Sequence, residues 1–419
     1  MPARTSTAIV LGAGVVGVST AYALAQRGIR VTLVDRNDAP AMSTSHANGA
    51  QLSYLYTDAL ASPRIWRQLP ALLLGQDNAF RFKVRPDPDY AFWLLTFLRN
   101  CTPGRFARNT LATFDLAMES RLRMDELLAR HDLKFDYVEN GKMHLYPDAD
   151  ARSLIEEIRR LKPAEADEQL ILSHAEACEI EPALATANPK PAFVLYSPGE
   201  AVGDPYHFAR ELLSVLKAEY SVTARFGVEA VGAEEKDGQA ILTLASGEAL
   251  SADQLVVCTG QPPRFLKPVG LKLPVCPMKG YSFTAPAGPA APEVSLTDTQ
   301  RRTVITRLGD AVRVAGLADL GWTETDIDQT RLDSLICAAR EGLPQAADYE
   351  ATFNHWTGLR PMTPNSQPRI GQLSPAIAYN LGHGMLGWTL AMGSGDRLAR
   401  LITGNAAPMP NRKDIANAS

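Results

Sequence analysis

Cysteine is scarce in this 419-residue chain: Cys101, Cys178, Cys258, Cys276 and Cys337, odd in number and never spaced as CxxC. That pattern gives no support to a disulfide framework or a thiolate metal site, and it fits a reducing compartment. The seven histidines are dispersed without ligand spacing, so no metal is expected. No apolar run approaches the ~20 residues that cross a bilayer. Polybasic tracts are absent and the net charge is −4, which argues against a nucleic-acid partner. Internal repeats are absent too. The start Met1-Pro2-Ala3-Arg4 shows no export pattern, and a cytoplasmic location is expected.

What is present is ordinary globular material, 46% hydrophobic and 21% charged, and 419 residues are enough for two domains. The first apolar run, Ala8–Leu11, suits a buried parallel strand. Gly12 permits a tight turn, Gly14 lets backbone approach a pyrophosphate, and Gly17 lets the next helix, with Val15 and Val16 in its first turn, lie close to the strand. That helix runs to about Gln26 and stops at Gly28. A second strand ends at Asp35, where a carboxylate meets ribose hydroxyls in such units. The unit therefore predicts a dinucleotide. It does not choose between FAD and NAD; Asp35 argues against NADP, and Arg36 beside it is the reservation.

The loop Asn37–Gln51 is rich in small polar residues, Ser43, Thr44, Ser45, His46, Asn48 and Gly49 among them. It could wrap a cofactor with hydroxyl and backbone donors, or be a plain surface loop. From Pro63 to Thr102 aromatic and aliphatic residues cluster (Trp66, Leu69, Leu72, Leu74, Phe80, Phe92, Trp93, Leu95) among Arg64, Arg67, Arg81, Lys83, Arg85 and Arg99. This segment reads as core or pocket wall, with a membrane-surface role as the alternative. Helices are expected over Phe106–His131, Asp150–Leu161 and Pro205–Glu219, the last capped by Asp204. Strands are expected over Gly141–Tyr146, Val222–Val228 and Leu255–Gly260, with a hairpin at Asp237-Gly238. The strand before Gly260 would join the first βαβ unit, making the cofactor domain discontinuous; Val228, Thr259 and Gly260 fall at its strand ends. Alternating runs between Pro274 and Phe353 suit an antiparallel sheet in a second domain.

Near the other end, Gly382-His383-Gly384-Met385-Leu386-Gly387-Trp388-Thr389 precedes a helix from about Thr389 to Ile402, stopped by Gly404. Glycines before a helix leave bare N–H groups in the field of its positive end. A flavin uses such donors, because hydride transfer leaves negative charge at its N1/C2 carbonyl edge. Arg360, between a strand and Pro361, suits a bidentate carboxylate clamp, with a surface ion pair as the plain alternative.

Taken together, these segments resemble the FAD-dependent D-amino-acid oxidase superfamily, and most of all its bacterial D-amino-acid dehydrogenase (small subunit) branch. The matching residues are IVLGAGVVGV at Ile9–Val18, Ser45 with Ala47-Asn48 and Gln51, Met278-Lys279-Gly280-Tyr281-Ser282, Ile305-Thr306-Arg307 with Arg313-Val314, WTGLRPMTP at Trp356–Pro364, and GHGxLGW at Gly382–Trp388 with Gly393-Ser394-Gly395. The resemblance implies an α/β fold, α+β overall. A Rossmann-like FAD domain of the glutathione-reductase type would be formed by 1–60, 200–262 and 352–419. A substrate domain on a mainly antiparallel sheet would be formed by 61–199 and 263–351. It implies FAD held by Gly12, Gly14, Gly17 and Asp35 at the ADP half, and by Ser45, Asn48, Gly49, Gln51 and Leu52 along the pyrophosphate and flavin. Gly382 through Thr389 would cradle the pyrimidine ring. It implies oxidation of a D-amino acid to a 2-oxo acid and ammonium, with electrons passed to a quinone or another acceptor. A related amine oxidoreductase acting on D-proline, hydroxyproline, glycine or sarcosine is the alternative. Peripheral contact with the cytoplasmic face of the inner membrane is left open. Arg360 would clamp the carboxylate, helped by Tyr56 or Tyr281, and His383 would tune the site or be structural. Three departures stand out: the family's Ala-Gly after the Asn is Gly49-Ala50 here, Met385 and Met392 stand where relatives often carry Thr and Cys, and residues 57–105, expected to shape the pocket, match poorly, which leaves the substrate side chain open.

Overall fold

The N-terminal apolar run forms the strand Thr7–Leu11, which lies inside a six-stranded sheet. The computed structural model describes residues 6–73, 77–162 and 168–404. Met1–Arg4 and Leu74, named above, lie outside the described residues. The sheet order is Arg369–Ser374, Ile377–Leu381, Gln254–Val257, Thr7–Leu11, Arg30–Val34, Thr223–Arg225. Its pairings are parallel, except at the antiparallel edge strand Arg369–Ser374. Gln254–Val257 therefore sits directly beside Thr7–Leu11, and the sheet is assembled from distant stretches of chain. These central strands are continuous Val, Ile and Leu because both faces are covered.

Helices pack on this sheet where glycine removes obstacles. Gly12 has φ +104°, and a Cβ on Gly17 would overlap the Gly12 carbonyl oxygen. The helix Gly387–Thr403 packs against Val15–Ala25 and Pro103–Arg130. A Cβ on Gly393 would stand 2.8 Å from Leu116 O, and one on Gly395 3.0 Å from the Ser19 carbonyl carbon. This last helix starts at Gly387 rather than Thr389, which puts the glycine inside its first turn, and Gly404 ends it at φ +72°. Asp204 caps Pro205–Glu219 by accepting from the N–H of Tyr206 at 2.8 Å. The hairpin Ala230–Lys236/Gln239–Leu244 turns at Asp237 and Gly238, both with positive φ, as its twist requires.

The second sheet has nine strands. Its order is Phe353–Met362, Cys276–Pro286, Ala311–Leu320, Thr303–Leu308, Ser295–Asp298, Lys142–Tyr146, Phe193–Ser197, Leu170–Leu172, and Phe80–Phe82 adds alongside Ala311–Leu320. Most pairings are antiparallel; Ser295–Asp298 with Lys142–Tyr146, and Phe80–Phe82 with Ala311–Leu320, are parallel. Two elements depart from the expected division of the chain. Phe353–Met362, assigned above to the cofactor segments, is the outer strand of this large sheet, and Arg360 lies within it, opposite Met278. Pro361 is tolerated there because an edge strand need not donate on its outer side. The helix Pro103–Arg130, assigned to the substrate segments, buries Leu116, Ala117, Met124 and Leu127 in one core with Val18, Leu24, Phe208 and Leu390.

Candidate active site

Between the two sheets lies a cavity of about 1920 Å³. Ligand pockets ordinarily run to ~1,000 Å³, so this one holds more than a small substrate. One wall is made by the strand ends and glycine turns of the six-stranded sheet: Gly12, Gly14, Val15, Val16, Asp35, Arg36, Val228, Thr259 and Gly260. The loop residues Ser45, Asn48, Gly49 and Gln51 continue it, and Gly384, Met385, Leu386, Gly387, Trp388 and Thr389 close it. The two glycine signatures, at opposite ends of the sequence, thus face one space.

Three of the expected cofactor residues stand back from the cavity for packing reasons. Gly17 is the helix–strand contact already described. Leu52 is wholly buried in the core. Gly382, at φ +74°, donates to Gly260 O at 2.9 Å, and a Cβ on it would stand 2.6 Å from Thr363 Cγ2. The carboxylate of Asp35 accepts from Ala13 N at 2.6 Å and from Asn37 N at 2.8 Å, which holds it at the strand end. Ser45 Oγ accepts from Val15 N at 3.1 Å, tying the polar loop to the first helix. Asn48 Oδ1 accepts from Ala50 N at 2.8 Å, and Ala50 takes φ +58° where the family's glycine would cost nothing. Neither Gly14 nor Leu386 caps its helix with a side chain. Two helix N-termini therefore open on the cavity, one beside a carboxylate with its Val15 N–H taken by Ser45, the other beside glycines. That donor set fits FAD, with phosphates at the first terminus and a carbonyl-rich ring edge at the second.

The opposite wall is the face of the nine-stranded sheet. Arg360 is half-buried, and its Nη1 and Nη2 donate to Leu317 O at 2.8 Å and Gly316 O at 3.4 Å. Its guanidinium lies over Gly280, where any side chain would overlap it. Burial lowers its pKa to about 10, with the field of Asp319 opposing. Among the described residues no carboxylate pairs with it, and three of its five N–H groups remain for a ligand. The Tyr281 hydroxyl points to Asp319 at 3.4 Å, and Asp319 is itself paired with Arg331, so that hydroxyl has a protein partner. Tyr56 stacks on His144 at 3.7 Å between ring centroids, with its hydroxyl 3.5 Å from that of Tyr146. Burial lifts the Tyr56 phenol to about 12. His383 is buried against Ser394 Oγ at 2.9 Å, and burial holds its pKa at about 3. It is a neutral, packed imidazole. Trp388 likewise spends its N–H on Gly203 O at 3.0 Å.

The sheet also brings in residues that the sequence analysis passed over. Lys142, His144 and Tyr146 alternate along one strand, and all three line the cavity. Their signal was the polar set at i, i+2 and i+4 in a run otherwise fit for a core. The Asp58–Lys162 ion pair, at 3.0 Å, stands beside them. Ile65, Leu69, Leu72, Trp93, Leu94 and Phe97 supply an apolar limb of the same cavity. The segment Pro63–Thr102 is thus pocket wall, formed by the helices Ile65–Leu73 and Pro88–Asn100 and the strand between them.

Comparison with known proteins agrees with this geometry. Residues 7–401 match the FAD dependent oxidoreductase family. The chain is 39% identical over 413 residues to D-amino acid dehydrogenase 2 of Ralstonia nicotianae, covering 95% of this chain and 96% of that protein. It is 36% identical over 406 residues to D-amino acid dehydrogenase of Dechloromonas aromatica, covering 94% and 96%. Glycine oxidase from Bacillus cereus shares the fold with a TM-score of 0.72 at 18% identity, covering 96% of each chain. With paired glycine signatures and two helix N-termini on one cavity and a match over nearly the whole length, this chain belongs to the FAD-dependent oxidoreductase family.

Proposed function

We propose that this protein oxidises D-amino acids to 2-oxo acids and ammonium. The observation that carries the reading is Arg360: a half-buried guanidinium with no carboxylate partner among the described residues, facing the same cavity as the flavin-type helix terminus at Gly384–Thr389. FAD held by the turns at Gly12–Val16 and Gly384–Thr389 would supply the acceptor for the hydride that leaves the substrate's Cα. The chain's own part is to bind, orient and exclude water. Arg360 holds the α-carboxylate with the N–H groups that its two main-chain acceptors leave free. The carbonyls of Leu317 and Gly316 fix that guanidinium, so its orientation costs little on binding. Tyr56 and Tyr146 offer hydroxyls held close by burial. His144 is buried with both ring nitrogens unpartnered and is kept neutral by burial and by Lys142 and Lys162. The apolar limb takes the side chain and keeps water out.

The division of the chain is part of the same proposal. Segments 1–60, 200–262 and the stretch after Met362 hold FAD, and the large sheet with the Pro63–Thr102 segment shapes the substrate side. Electron transfer to a quinone at a membrane surface is included as well. Trp66, Phe92 and Leu95 are more than half exposed and stand in a segment with Arg64, Arg67 and Arg99, which suits an anionic lipid surface. Among the described residues no helix is long and apolar enough to cross a membrane.

The test is an anaerobic titration of the FAD-loaded protein with D- and L-amino acids, glycine and sarcosine, followed by bleaching of the visible flavin band. Bleaching by D-amino acids is the expected result. Bleaching by glycine or sarcosine alone would move the enzyme to an amine oxidoreductase of another specificity, and no bleaching would remove amino-acid oxidation altogether.

A further inference from the structure

Lys142 is a charge in the wrong place for a structural role. Its side chain is buried and faces the cavity, and its Nζ donates to Ser53 Oγ at 2.7 Å. Among the described residues no carboxylate stands within ion-pair distance of it. Glu200 acts on it through its field, but the two oxygens of Glu200 accept from Tyr54 N at 2.7 Å and Leu55 N at 2.6 Å. The other groups about it do not neutralise it. His144 on its own strand is neutral, Tyr56 is a protonated phenol under the ammonium, and Asp58 is paired with Lys162. Burial lowers Lys142 to about 8, which leaves it mostly protonated at neutral pH. A buried, unpaired cation is costly, and it persists where a ligand completes the pair.

Arg360, half-buried, likewise has no direct ion pair among the described residues and feels only the field of Asp319, so two cations without a contacting carboxylate line the cavity. They cannot share one carboxylate. The Arg360 guanidinium bonds the Gly316 and Leu317 carbonyls on Ala311–Leu320, three strand steps from Lys142–Tyr146, which at ~4.8 Å per step is about 14 Å. Flavin-dependent oxidation of an amino acid presents two negative charges to such a site: the substrate carboxylate, and the charge that the isoalloxazine gains at its N1/C2 carbonyl edge on reduction. The position of Lys142 selects between them. Ser53, which holds its ammonium, also donates through its backbone N–H to Thr389 Oγ1 at 2.9 Å, in the first turn of the helix whose N-terminus opens on the cavity.

We infer that Lys142 provides the fixed positive charge that offsets the negative charge of the reduced isoalloxazine, and that it does not anchor the substrate. Lys142 is thus a positioning residue that acts on the cofactor's potential through its field and through the Ser53–Thr389 contact. The inference rests on the proposed placement of the flavin edge at Gly384–Thr389.

The experiment compares the FAD-loaded native protein with K142M, K142Q and K142R. Sulfite affinity and the two-electron midpoint potential are measured without any amino acid, and propionate affinity is measured from the perturbed flavin spectrum. The neutral variants are expected to bind sulfite at least ~10-fold more weakly, which corresponds to about 30 mV per tenfold for a two-electron couple. K142R is expected to stay within about twofold of native, and propionate affinity within about threefold in every variant. Lost propionate affinity with unchanged sulfite affinity and potential would make Lys142 a carboxylate anchor and overturn the inference. Unchanged values throughout would overturn it as well, as would loss of bound FAD from both neutral variants. Failure of D-amino acids to bleach the native flavin is a separate result that removes the proposed reaction, not this assignment.

Discussion

Ala50 shows how one residue carries both the family likeness and a cost. At φ +58° it occupies a conformation that glycine adopts freely and that alanine resists. Ala50→Gly is expected to stabilise the protein by ~0.5–1 kcal/mol, read as a raised urea midpoint with FAD content retained. Arg360 carries the proposed chemistry. Arg360→Met is expected to lower kcat/KM for D-amino acids by about 2–5 kcal/mol of transition-state binding, and a loss of less than ~10-fold in steady-state kinetics would remove the clamp. His383 contributes through pH instead. Its folded-state pKa of about 3 lies below the ordinary histidine value, so the unfolded chain takes up a proton that the folded one refuses. The stability linked to this group is fully present above about pH 6.5 and is lost as pH falls toward 3. His144 shifts in the same direction. Urea unfolding at pH 7 and pH 5 should therefore show a smaller loss in His383→Asn than in the native protein. Neither histidine should contribute a limb to the kcat/KM profile between pH 5.5 and 7.5.

At the scale of elements, packing explains residues that the motif alone left unaccounted for. Gly393-Ser394-Gly395 was legible only as part of a resemblance. In the fold, those small residues let Gly387–Thr403 pass between two other helices. Gly393→Ala would force the helix from the Leu116 carbonyl and the Ser120 N–H, each 2.8 Å from the added Cβ. Overpacking of this kind costs ~1–3 kcal/mol, and a lowered melting temperature with weakened FAD retention checks it. The strand Lys142–Tyr146 makes the opposite point. Its existence was legible from the sequence, but its function was not. Period-two alternation says that Lys142, His144 and Tyr146 share a face; it does not say whether that face meets water or a ligand cavity.

At the scale of the whole molecule, the cavity exists only because two sheets face each other. The Pro63–Thr102 segment closes its apolar limb from outside while leaving Trp66, Phe92 and Leu95 exposed. If that surface meets lipid, the triple change of these residues to Glu should abolish sedimentation with anionic vesicles, while kcat with a soluble dye acceptor stays within about twofold. Unchanged sedimentation would remove the membrane part of the proposal. The discontinuous first sheet was readable from Leu255–Gly260 alone, because a buried apolar strand ending in glycine needs a parallel neighbour. The assignment of Phe353–Met362 to the large sheet was not readable. An alternating strand does not name its partner, and pairing depends on which sheet edge the chain reaches.

The amino-acid sequence by itself determined the dinucleotide unit, several helices and strands but not the helix Gln329–Gly342 within the stretch read as sheet, the glycine-rich helix start near the C-terminus, and the identity of Arg360 as a charge worth following. These are local properties, set by backbone freedom, periodicity and side-chain chemistry within a few residues. Tertiary structure decided which distant segments share a sheet, that two glycine signatures open on one cavity, and that Arg360 and Lys142 line it with no carboxylate in direct contact among the described residues. Burial and ion pairing depend on neighbours remote in sequence. A lysine in a strand becomes a field acting on a cofactor only when folding removes the water and carboxylates that would otherwise screen it.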